Sequence, residues 1–441
     1  MKTKLQTYVD AENFMYESFL RAQAYIPKAD DSVTRDPKRA RWLLDQLGKP
    51  DQGIKTVLVA GSKGKGSTSH LISILLRGLG YRVGLFTSPH LIQFTERIQV
   101  NGQQISELDF LRLTRKIEPY VNELETKLER VAYQGPIGLA LSVAWLYFKE
   151  QQIDFAVIEA GRGGRFDEAN VVSNQWAALS SLFPEHLDTL GPTIEDIIWH
   201  KLGIVKGETT TVIVNHQQHA ILETLRSELS HIKDLRVYGE QFQADSIQLD
   251  RSGITFQLRT ERADYGRLHL PLLGAFQANN AATAVACCES IIGDRFPEQL
   301  LRDTLAQARW PGRCELLSQN PTVIADGAIN AVSALYIQEL VETIGFQKVI
   351  SIVGVPVDKD YEGVIRVVSG FSEQVIISTP DLSHKSFSAE AFIFAKKMNR
   401  SSREITPLDK ALEFAKQQPG VDLILIVGTQ TFIGNAKRLY R

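Results

Sequence analysis

A glycine-rich segment between an apolar run and a helical pattern carries the clearest chemistry in this sequence. Residues 60–68 read Ala-Gly-Ser-Lys-Gly-Lys-Gly-Ser-Thr and follow the apolar, β-branched run of residues 56–59. Glycines let backbone N–H groups approach an anion closely, and the N-terminus of a following helix adds partial positive charge. Lys65 would neutralise the β- and γ-phosphates of a nucleotide, and the Ser67 hydroxyl would bind Mg²⁺. The segment predicts a phosphate-binding loop, with a flexible surface turn as the alternative.

The loop is a short variant of the common phosphate-binding motif. Only Ser62 and Lys63 separate its first glycine from the Gly-Lys pair, whereas the common form has a longer spacer. The residues of this segment that are predicted to contact the nucleotide are Gly61, Gly64, Lys65, Gly66, Ser67 and Thr68.

Strands that alternate with helices must position this loop. Residues 35–48 and 139–148 are typical of helices, and the residues after the loop continue a helical pattern through Leu79. This alternation predicts βαβ units and a mostly parallel sheet. Between residues 236 and 271 shorter alternating runs predict antiparallel hairpins appended to that sheet. The strand candidates are residues 56–59, 81–86, 155–158, 176–182 and 211–214.

A second set of strands and helices begins after the Trp-Pro-Gly-Arg segment of residues 310–313. It predicts a smaller, Rossmann-like doubly wound domain whose ligands bind at the carboxyl ends of its strands. The predicted fold class is therefore α/β, with a P-loop-type, mostly parallel sheet over residues 1–308 and the second domain over residues 309–441. The strand candidates of the second domain are residues 322–325, 349–353, 375–378 and 423–427.

Length, charge and cysteine content exclude several classes of protein. A chain of 441 residues exceeds one hydrophobic core, so two or three domains are expected. The net charge of −2, with both signs interspersed, argues against a nucleic-acid partner, and no apolar stretch is long enough to predict a membrane partner. No signal peptide is visible, and Cys287 and Cys288 lie in an apolar run typical of a buried helix. With Cys314 as the third cysteine, these features predict a reducing, cytoplasmic setting.

An ordered set of short motifs runs from the loop to the second domain. Its segments are residues 61–68, 84–91, 96–98, 159–167, 170–171, 200–206, 310–313 and 326–330. In this order they resemble the folylpolyglutamate synthase/dihydrofolate synthase branch of the Mur-ligase superfamily. The resemblance extends from about residue 35 to the last strand, and an ordered set is more specific than any single motif.

The resemblance implies ATP-dependent formation of an amide bond. ATP would phosphorylate a folate-type carboxylate, and the amine of L-glutamate would attack the acyl phosphate, with release of ADP and phosphate. Such a reaction needs neutralisation of the phosphate charges, Mg²⁺, and two substrates held in line. The implied cofactors are therefore ATP and Mg²⁺, the implied partners are these small-molecule substrates, and a monomer is expected.

By the same resemblance, positions in the first domain contact the substrate and the metal. Ser88, Pro89 and His90 would border the folate pocket, and they follow a strand end, where ligands bind in open α/β sheets. A rigid turn is the alternative for this segment. Glu159 would belong to the Mg²⁺ shell, or else cap a helix or pair with a nearby arginine. His186 matches a Mg²⁺ ligand of the family, whereas a loop histidine by itself is usually a surface residue.

Further positions are assigned by resemblance to catalysis and nucleotide binding. Lys201 matches a lysine that is carbamylated in the family and helps to place Mg²⁺, with a solvated helix lysine as the alternative. Gln277 and Asn280 match a nucleotide-contacting pair, with helix capping as the alternative. Arg313 would reach across the interdomain cleft to the ATP phosphates, unless it forms an ordinary salt bridge. Asp326 would hold the nucleotide ribose.

Five positions depart from the family pattern. Gly138 stands where the family has a Mg²⁺-binding Glu, and Lys63 replaces the usual Asn of the loop. Ile329 and Phe276 stand where the family has His, and His200 replaces a Glu. The changes cluster at the metal and at the nucleotide-facing edge of the second domain, which indicates a diverged paralogue.

Three hypotheses follow from these residues. The leading one is an amide ligase that joins L-glutamate to a folate-type carboxylate. The second is a Mur-type ligase with a different pair of acyl and amine substrates, as Gly138 and Ile329 permit. The third is a pseudo-enzyme that binds nucleotide or folate without turnover, although the intact Lys65 and Ser67 favour catalysis. The loop alone would also suit a small kinase.

Overall fold

The computed structural model describes residues 5–380 and 387–440, which form two α/β domains. The helices are α1 (Tyr8–Ala22), α2 (Asp31–Thr34), α3 (Lys38–Gln46), α4 (Lys65–Gly78), α5 (Glu107–Glu125), α6 (Pro136–Glu150), α7 (Leu187–Leu190), α8 (Ile194–Lys201), α9 (His219–Glu228), α10 (Phe276–Ile292), α11 (Glu298–Ala306), α12 (Ala331–Ile344), α13 (Tyr361–Ser369), α14 (Glu390–Met398), α15 (Leu408–Lys416) and α16 (Gln430–Arg438). The strands are β1 (Lys55–Ala60), β2 (Val83–Phe86), β3 (Ile98–Val100), β4 (Gln103–Gln104), β5 (Phe155–Glu159), β6 (Trp176–Leu179), β7 (Thr211–Val214), β8 (Asp234–Val237), β9 (Phe242–Asp250), β10 (Gly253–Thr260), β11 (Asp264–Leu270), β12 (Glu315–Gln319), β13 (Thr322–Asp326), β14 (Val349–Gly354), β15 (Gln374–Ile377), β16 (Arg403–Glu404) and β17 (Leu423–Gly428).

The first domain is built on an eight-stranded sheet with the order β4-β3-β2-β5-β1-β6-β7-β8. The strand that precedes the loop, β1, pairs in parallel with β5 and β6, and antiparallel pairing is confined to β3 and its neighbours. Val57 and Val59 of β1 belong to one apolar core, whereas Leu58 and Ala60 belong to another. Both faces of the strand are therefore covered, as in other parallel sheets. The predicted mostly parallel sheet is confirmed.

A three-stranded antiparallel sheet, β9 to β11, is appended to this domain and packs on α10. It confirms the hairpins predicted between residues 236 and 271. In turn α10 packs on α4, the helix that follows the loop. Its buried alanines allow close approach of the two helices, and Cys287 and Cys288 are free and buried among them. These two cysteines therefore fill the core, as predicted.

The second domain has a six-stranded sheet with the order β12-β13-β17-β14-β15-β16. The four predicted strands correspond to β13, β14, β15 and β17, which pair in parallel. The sequence analysis missed β12, which pairs antiparallel with β13 at the edge of the sheet. Most of its residues are only partly buried, so its sequence lacks the apolar run on which the prediction depended.

Two long helices of the first domain, α1 and α5, were not predicted. They pack on each other and begin with clear capping signals: Thr7 and Asp10 form a capping box, and the Ser106 side chain caps α5. These signals were available in the sequence. Within the described ranges, no helix combines the length and the hydropathy that crossing a bilayer requires.

Candidate active site between the two domains

The predicted phosphate loop lies between the end of β1 and the start of α4. Gly64, the residue before α4, has a φ of 92°, which is a left-handed conformation that favours glycine. A Cβ atom at Gly64 would lie 2.7 Å from the side-chain oxygen of Asn280, so the loop also approaches α10 closely. Strand, glycine loop and helix N-terminus occur in the predicted order, which excludes a flexible surface turn.

A second glycine brings the loop helix against two other parts of the site. A Cβ atom at Gly66 would lie 3.2 Å from the Trp310 ring and 3.4 Å from Oε2 of Glu159. The first turn of α4 therefore contacts both the linker between the domains and the carboxyl end of β5. Any side chain at position 66 would push these parts away from the loop.

Two lysines converge on the carbonyl of Gly61. Nζ of Lys65 donates to this oxygen at 2.8 Å, and Nζ of Lys201 donates to it at 2.7 Å. Lys65 also lies 3.5 Å from the carbonyl of Ser62, so its ammonium is folded back onto the loop. Two positive charges are thus concentrated at the helix N-terminus where an anion is expected to bind.

Lys201 is buried, with 1% of its surface exposed, so the alternative of a solvated helix lysine is wrong. Its ammonium also donates to Oε1 of Glu185 at 2.7 Å. Burial lowers the pKa of Lys201 to about 8, although Glu185 opposes this effect. Burial acts on Glu185 as well, but Lys201 holds the pKa of that carboxyl below its usual value. The two residues form a buried ion pair beside the loop.

Glu159 ends β5 and is 3% exposed. Its Oε2 accepts a hydrogen bond from the backbone N–H of Ser88 at 2.9 Å. Burial raises the pKa of Glu159, and Lys65 opposes that rise. The two arginines that follow it in the sequence bond to a carboxylate of α2 and to a carbonyl of α8. The helix-cap and salt-bridge alternatives for Glu159 are therefore wrong, and its carboxylate faces the loop.

His186 precedes α7 in a left-handed conformation, with a φ of 52°. Its Nε2 lies 4.0 Å from Oε2 of Glu185. The His186 side chain is 37% exposed. Partial desolvation still lowers its pKa to about 4, against the opposing effect of Glu185, so the ring is neutral at pH 7 and can bind a metal. Across residues 5–380 and 387–440, however, no three His, Cys, Asp or Glu side chains form a group that could hold a metal ion. The described residues therefore offer a metal ion separate donor atoms rather than a closed cluster of ligands.

Gln277 and Asn280 lie in the first turn of α10, and both are buried. Neither caps the helix, because the N-cap position is Ala275 and has no side-chain bond. Asn280 donates to Oε1 of Gln277 at 3.0 Å and accepts from Asn215 at 3.1 Å. Nε2 of Gln277 has no partner among the described residues although it is buried. An unsatisfied buried donor is costly, and an acceptor on a ligand would satisfy it.

A cavity of about 210 Å³ lies between the domains, at the carboxyl ends of β2 and β5. Its first-domain wall contains the loop helix, Glu159 and the predicted substrate segment, and its second wall contains the linker and α16. The cavity thus brings the substrate segment, the loop and Arg313 to one place. The residues that line the cavity include Gly66, Ser88, Pro89, His90, Glu159, Trp310, Arg313 and Lys437.

His90 lines this cavity as a neutral ring. Its Nδ1 accepts a hydrogen bond from Nε of Arg97 at 3.0 Å, so the proton of the neutral ring is on Nε2. Burial, together with the positive charges of Arg97 and Arg438, lowers the pKa of His90 to about 3. At pH 7 the ring can therefore donate one hydrogen bond to a ligand and carries no charge.

Arg313 lies just before β12, and Asp326 ends β13, the strand that pairs with β12. Nη1 of Arg313 donates to the carbonyl of Gly312 at 3.0 Å, and no carboxylate in the described part of the chain pairs with it. The salt-bridge alternative for Arg313 is therefore wrong. Asp326 ends β13, is 3% exposed and accepts from the N–H of Cys314 at 2.8 Å. A Cβ atom at Gly327, the residue after Asp326, would lie 2.9 Å from Nη1 of Arg313, so the arginine side chain lies against the segment that follows β13.

Glu168 fills the space beside Gly138. The N–H of Gly138 donates to Oε2 of Glu168 at 3.2 Å, and a Cβ atom at this glycine would lie 2.9 Å from Cβ of Ala40. A Cβ atom at Gly135 would overlap the Glu168 carboxylate. Burial raises the pKa of Glu168 to about 7, and Arg35 opposes that rise. A carboxylate therefore does reach the start of α6, but it comes from a different segment.

The other departures from the family pattern have separate structural roles. Nε2 of His200 lies 3.1 Å from Oδ2 of Asp30, which ties α8 to the N-terminal region. Ile329 packs against the apolar core of the second domain. Lys63 lies over the ring of Phe276. None of these side chains lines the interdomain cavity.

Sequence reasoning missed three residues of this region. Glu185 stands next to His186, so its position beside a predicted ligand was a usable signal. Glu168 and Lys437 gave no local signal, because the fold brings them to Gly138 and to the cavity from distant parts of the chain.

The loop, the sheet around it and the two-domain cleft define a Mur ligase. Residues 59–288, more than half of the chain, match the family described as Mur ligase middle domain. The protein is thus an ATP-dependent ligase in class, as the sequence analysis predicted.

Comparison with individual proteins identifies the branch. Dihydrofolate synthase/folylpolyglutamate synthase of Bacillus subtilis is 30% identical over 409 residues, which cover 91% of this chain and 94% of that protein. The enzyme of the same name from Mycobacterium tuberculosis is 30% identical over 399 residues, 86% of this chain and 81% of that protein. The structure of Mycobacterium tuberculosis folylpolyglutamate synthase complexed with ADP has a TM-score of 0.89 and 25% identity over 98% of each chain. This chain belongs to the dihydrofolate synthase/folylpolyglutamate synthase family.

Proposed function

We propose that this protein joins L-glutamate to the carboxylate of a folate in an ATP-dependent reaction that releases ADP and phosphate. The observation that carries this proposal is the interdomain cavity, where Glu159, Arg313 and the loop helix at Gly66 share one space with the segment around His90. Phosphate-binding and substrate-binding groups that open onto one cavity can hold the two reactants in line. Membership of the family supports the same activity.

Lys65 and Arg313 supply positive charge from opposite walls of the cleft. When a nucleotide binds, Lys65 exchanges the Gly61 carbonyl for a phosphate oxygen, and a charged acceptor forms the stronger hydrogen bond. Arg313 has no ion pair with a described carboxylate, so it can bind the phosphates without breaking one. Together these cations stabilise the charge of the transferred phosphoryl group and of the tetrahedral intermediate that follows.

ATP brings Mg²⁺, which neutralises phosphate charge and orients the phosphoryl group. We assign Ser67 and Glu159 as its protein oxygens, with the neutral His186 as the nitrogen donor nearby. Mg²⁺ usually keeps several waters and takes few protein ligands beside substrate phosphates. The open set of donors in this structure fits that habit. The unpaired Nε2 of Gln277 at the start of α10 is a hydrogen-bond donor, so we assign it to a nucleotide oxygen and not to the metal.

We assign Lys201 an unmodified role. Both of its hydrogen bonds, to Gly61 and to Glu185, use N–H donors on Nζ. Carbamylation would place an anion against the Glu185 carboxylate and would break this pair. As an ammonium, Lys201 holds the loop carbonyl in place. A carbon-13 carbamate signal after equilibration with labelled bicarbonate would contradict this role, and no such signal is expected.

The experiment that tests the function measures ADP release with a panel of folates and amino acids. Wild type is expected to require both a folate and L-glutamate. Lys65→Ala should abolish the release. The control is Lys55→Ala, which should leave it unchanged, because Lys55 is exposed and lies at the start of β1, the strand before the loop. ADP release that needs neither substrate would remove the proposal, and release with another acid–amine pair would redirect it.

A further inference from the structure

Lys63 points from the phosphate loop to the second domain. Its Nζ lies 3.4 Å from the carbonyl of Ser333 and 4.5 Å from the centre of the Tyr336 ring. The ring of Phe276 lies 5.2 Å from the same atom and packs edge to face on Tyr336, with 5.3 Å between their centres. The ammonium therefore lies between one carbonyl and two aromatic rings.

These contacts join the two domains. Lys63 and Phe276 belong to the first domain, whereas Ser333 and Tyr336 lie on α12 of the second. A Cβ atom at Gly274 would lie 2.5 Å from the Phe276 ring, so this glycine leaves the room that the ring occupies. The aromatic pair is thus built from both sides of the cleft, and the lysine links it to the loop.

The charge of Lys63 has no ion-pair partner in the described part of the chain. Burial lowers the pKa of its ammonium, and the more distant Asp326 only opposes that effect. A partly desolvated ammonium over aromatic rings gains more from the cation–π interaction than an exposed one does. The contact is therefore sensitive to the charge of this side chain and to the rings that face it.

The helix that Lys63 contacts also follows the nucleotide-facing residues of the second domain. Helix α12 begins shortly after Asp326 and is capped by Asn330, whose side chain accepts from the N–H of Ser333 at 2.8 Å. Holding the first turn of α12 against the loop therefore also fixes the end of β13. Within the described part of the chain, Lys65 in contrast bonds only to carbonyls of its own loop.

We propose that Lys63 is a positioning residue that holds the second domain against the phosphate loop, so that Arg313 and Asp326 meet the nucleotide bound by Lys65. The proposal rests on the proposed function only in its assignment of Arg313 and Asp326 to the nucleotide. Lys65 binds the phosphates, and Lys63 brings the opposite wall of the site to them. Nucleotide binding and docking of the two domains are coupled through this side chain.

The test measures the affinity of the full-length protein for ADP by titration calorimetry. Lys63→Met, which keeps the length of the side chain and removes its charge, should weaken ADP binding about tenfold. Tyr336→Leu should have a similar effect from the other domain, and Lys63→Arg should retain most of the affinity. The matched control is Lys416→Met, since Lys416 lies 4.5 Å from the Tyr440 ring within the second domain, and it should leave the affinity unchanged.

A double-variant cycle separates positioning from direct phosphate binding. If Lys63 positions Arg313, then Arg313→Ala should cost less affinity in the Lys63→Met background than in wild type. The double variant Lys63→Met/Tyr336→Leu should likewise bind ADP with about the same affinity as whichever single variant binds it more weakly. Fully additive losses in both cycles would overturn the proposal, and so would unchanged ADP affinity in Lys63→Met and Tyr336→Leu. ADP binding needs neither folate nor glutamate, so failure of the ligase assay with intact ADP binding would count only against the proposed function.

Discussion

The two walls of the interdomain cleft differ in how their charged groups are held. On the first-domain wall, Lys65 bonds to Gly61, Lys201 pairs with Glu185, and the Glu159 carboxylate accepts from a backbone N–H. On the second-domain wall, Lys437 pairs with Glu315, whereas Arg313 donates to the carbonyl of its neighbour and pairs with no carboxylate among the described residues. The charged groups of the first wall are therefore preformed, whereas Arg313 on the second wall is expected to find its counter-charge when a nucleotide binds.

The difference assigns separate roles to the two domains. A preformed wall costs little reorganisation at the moment of reaction, which is how fixed charges accelerate chemistry. A cation without a counter-charge gains more binding energy from an anionic ligand than a cation that is already paired. Variants on the first wall are expected to change stability as well as activity, whereas variants on the second wall should change activity alone.

Lys65→Ala should have the largest effect on activity. Because we assign Lys65 to the phosphates, its loss should lower kcat by at least about 100-fold, a size typical of one lost charge-stabilising group. The measurement is ADP release at saturating substrates, with Lys55→Ala as the control. A fall of less than about threefold would mean that the loop does not bind the reacting phosphates.

Arg313→Ala should lower kcat/KM for ATP about 10- to 100-fold and leave the free energy of unfolding unchanged, because no carboxylate among the described residues loses a partner. Arg313→Lys should restore only part of the activity, since a lysine lacks the forked donors of arginine. Steady-state kinetics and urea unfolding of the same samples test both statements. A marked loss of stability in Arg313→Ala would contradict the conclusion that Arg313 has no counter-charge in the folded protein before a nucleotide binds.

The burial of Lys201 should give the stability of the first domain a characteristic pH dependence, which its pairing with Glu185 reduces. The pKa of Lys201 is about 8 when folded, below its value of 10.5 in the unfolded chain, so the unfolded state holds more protons between these values. The contribution of Lys201 to the free energy of unfolding should therefore rise with pH across this window, by up to about 3 kcal/mol. Urea unfolding of wild type and Lys201→Met at pH 7.5 and pH 10 measures this contribution as a difference. A difference that stays constant with pH would contradict the lowered pKa of Lys201 in the folded state.

Gly138→Ala should have the smallest effect, a destabilisation of about 1–2 kcal/mol with activity largely retained. The added Cβ would lie 2.9 Å from Cβ of Ala40, so combining it with Ala40→Gly should recover part of the loss. Thermal unfolding of the single and double variants measures this recovery. Equal stability of wild type and Gly138→Ala would show that the packing at the start of α6 is looser than the structure indicates.

The sequence predicted those parts of the site that are local in the chain. The strand, glycine loop and helix around Lys65 occupy consecutive residues, so spacing alone indicated their arrangement. The strand ends at Glu159 and Asp326 could also be predicted from the sequence, because apolar runs mark buried parallel strands. The ordered motifs added the family and the overall architecture.

Features that depend on long-range contacts could not be predicted from local patterns. The sequence showed that Gly138 lacks a carboxylate, but only the fold brings Glu168 to that position. It showed an additional lysine at Lys63, but not that Tyr336 lies over it. The burial of Lys201 was hidden for the same reason, since a charged residue near the end of a helix is usually solvated.

The most direct test of the central claim is a combined assay for ADP and for the folate product by mass spectrometry. We predict that each ADP released is matched by one glutamyl residue gained by a folate, and that both signals disappear in Lys65→Ala. ADP release without a glutamylated folate, or a glutamylated folate formed without ATP, would contradict it.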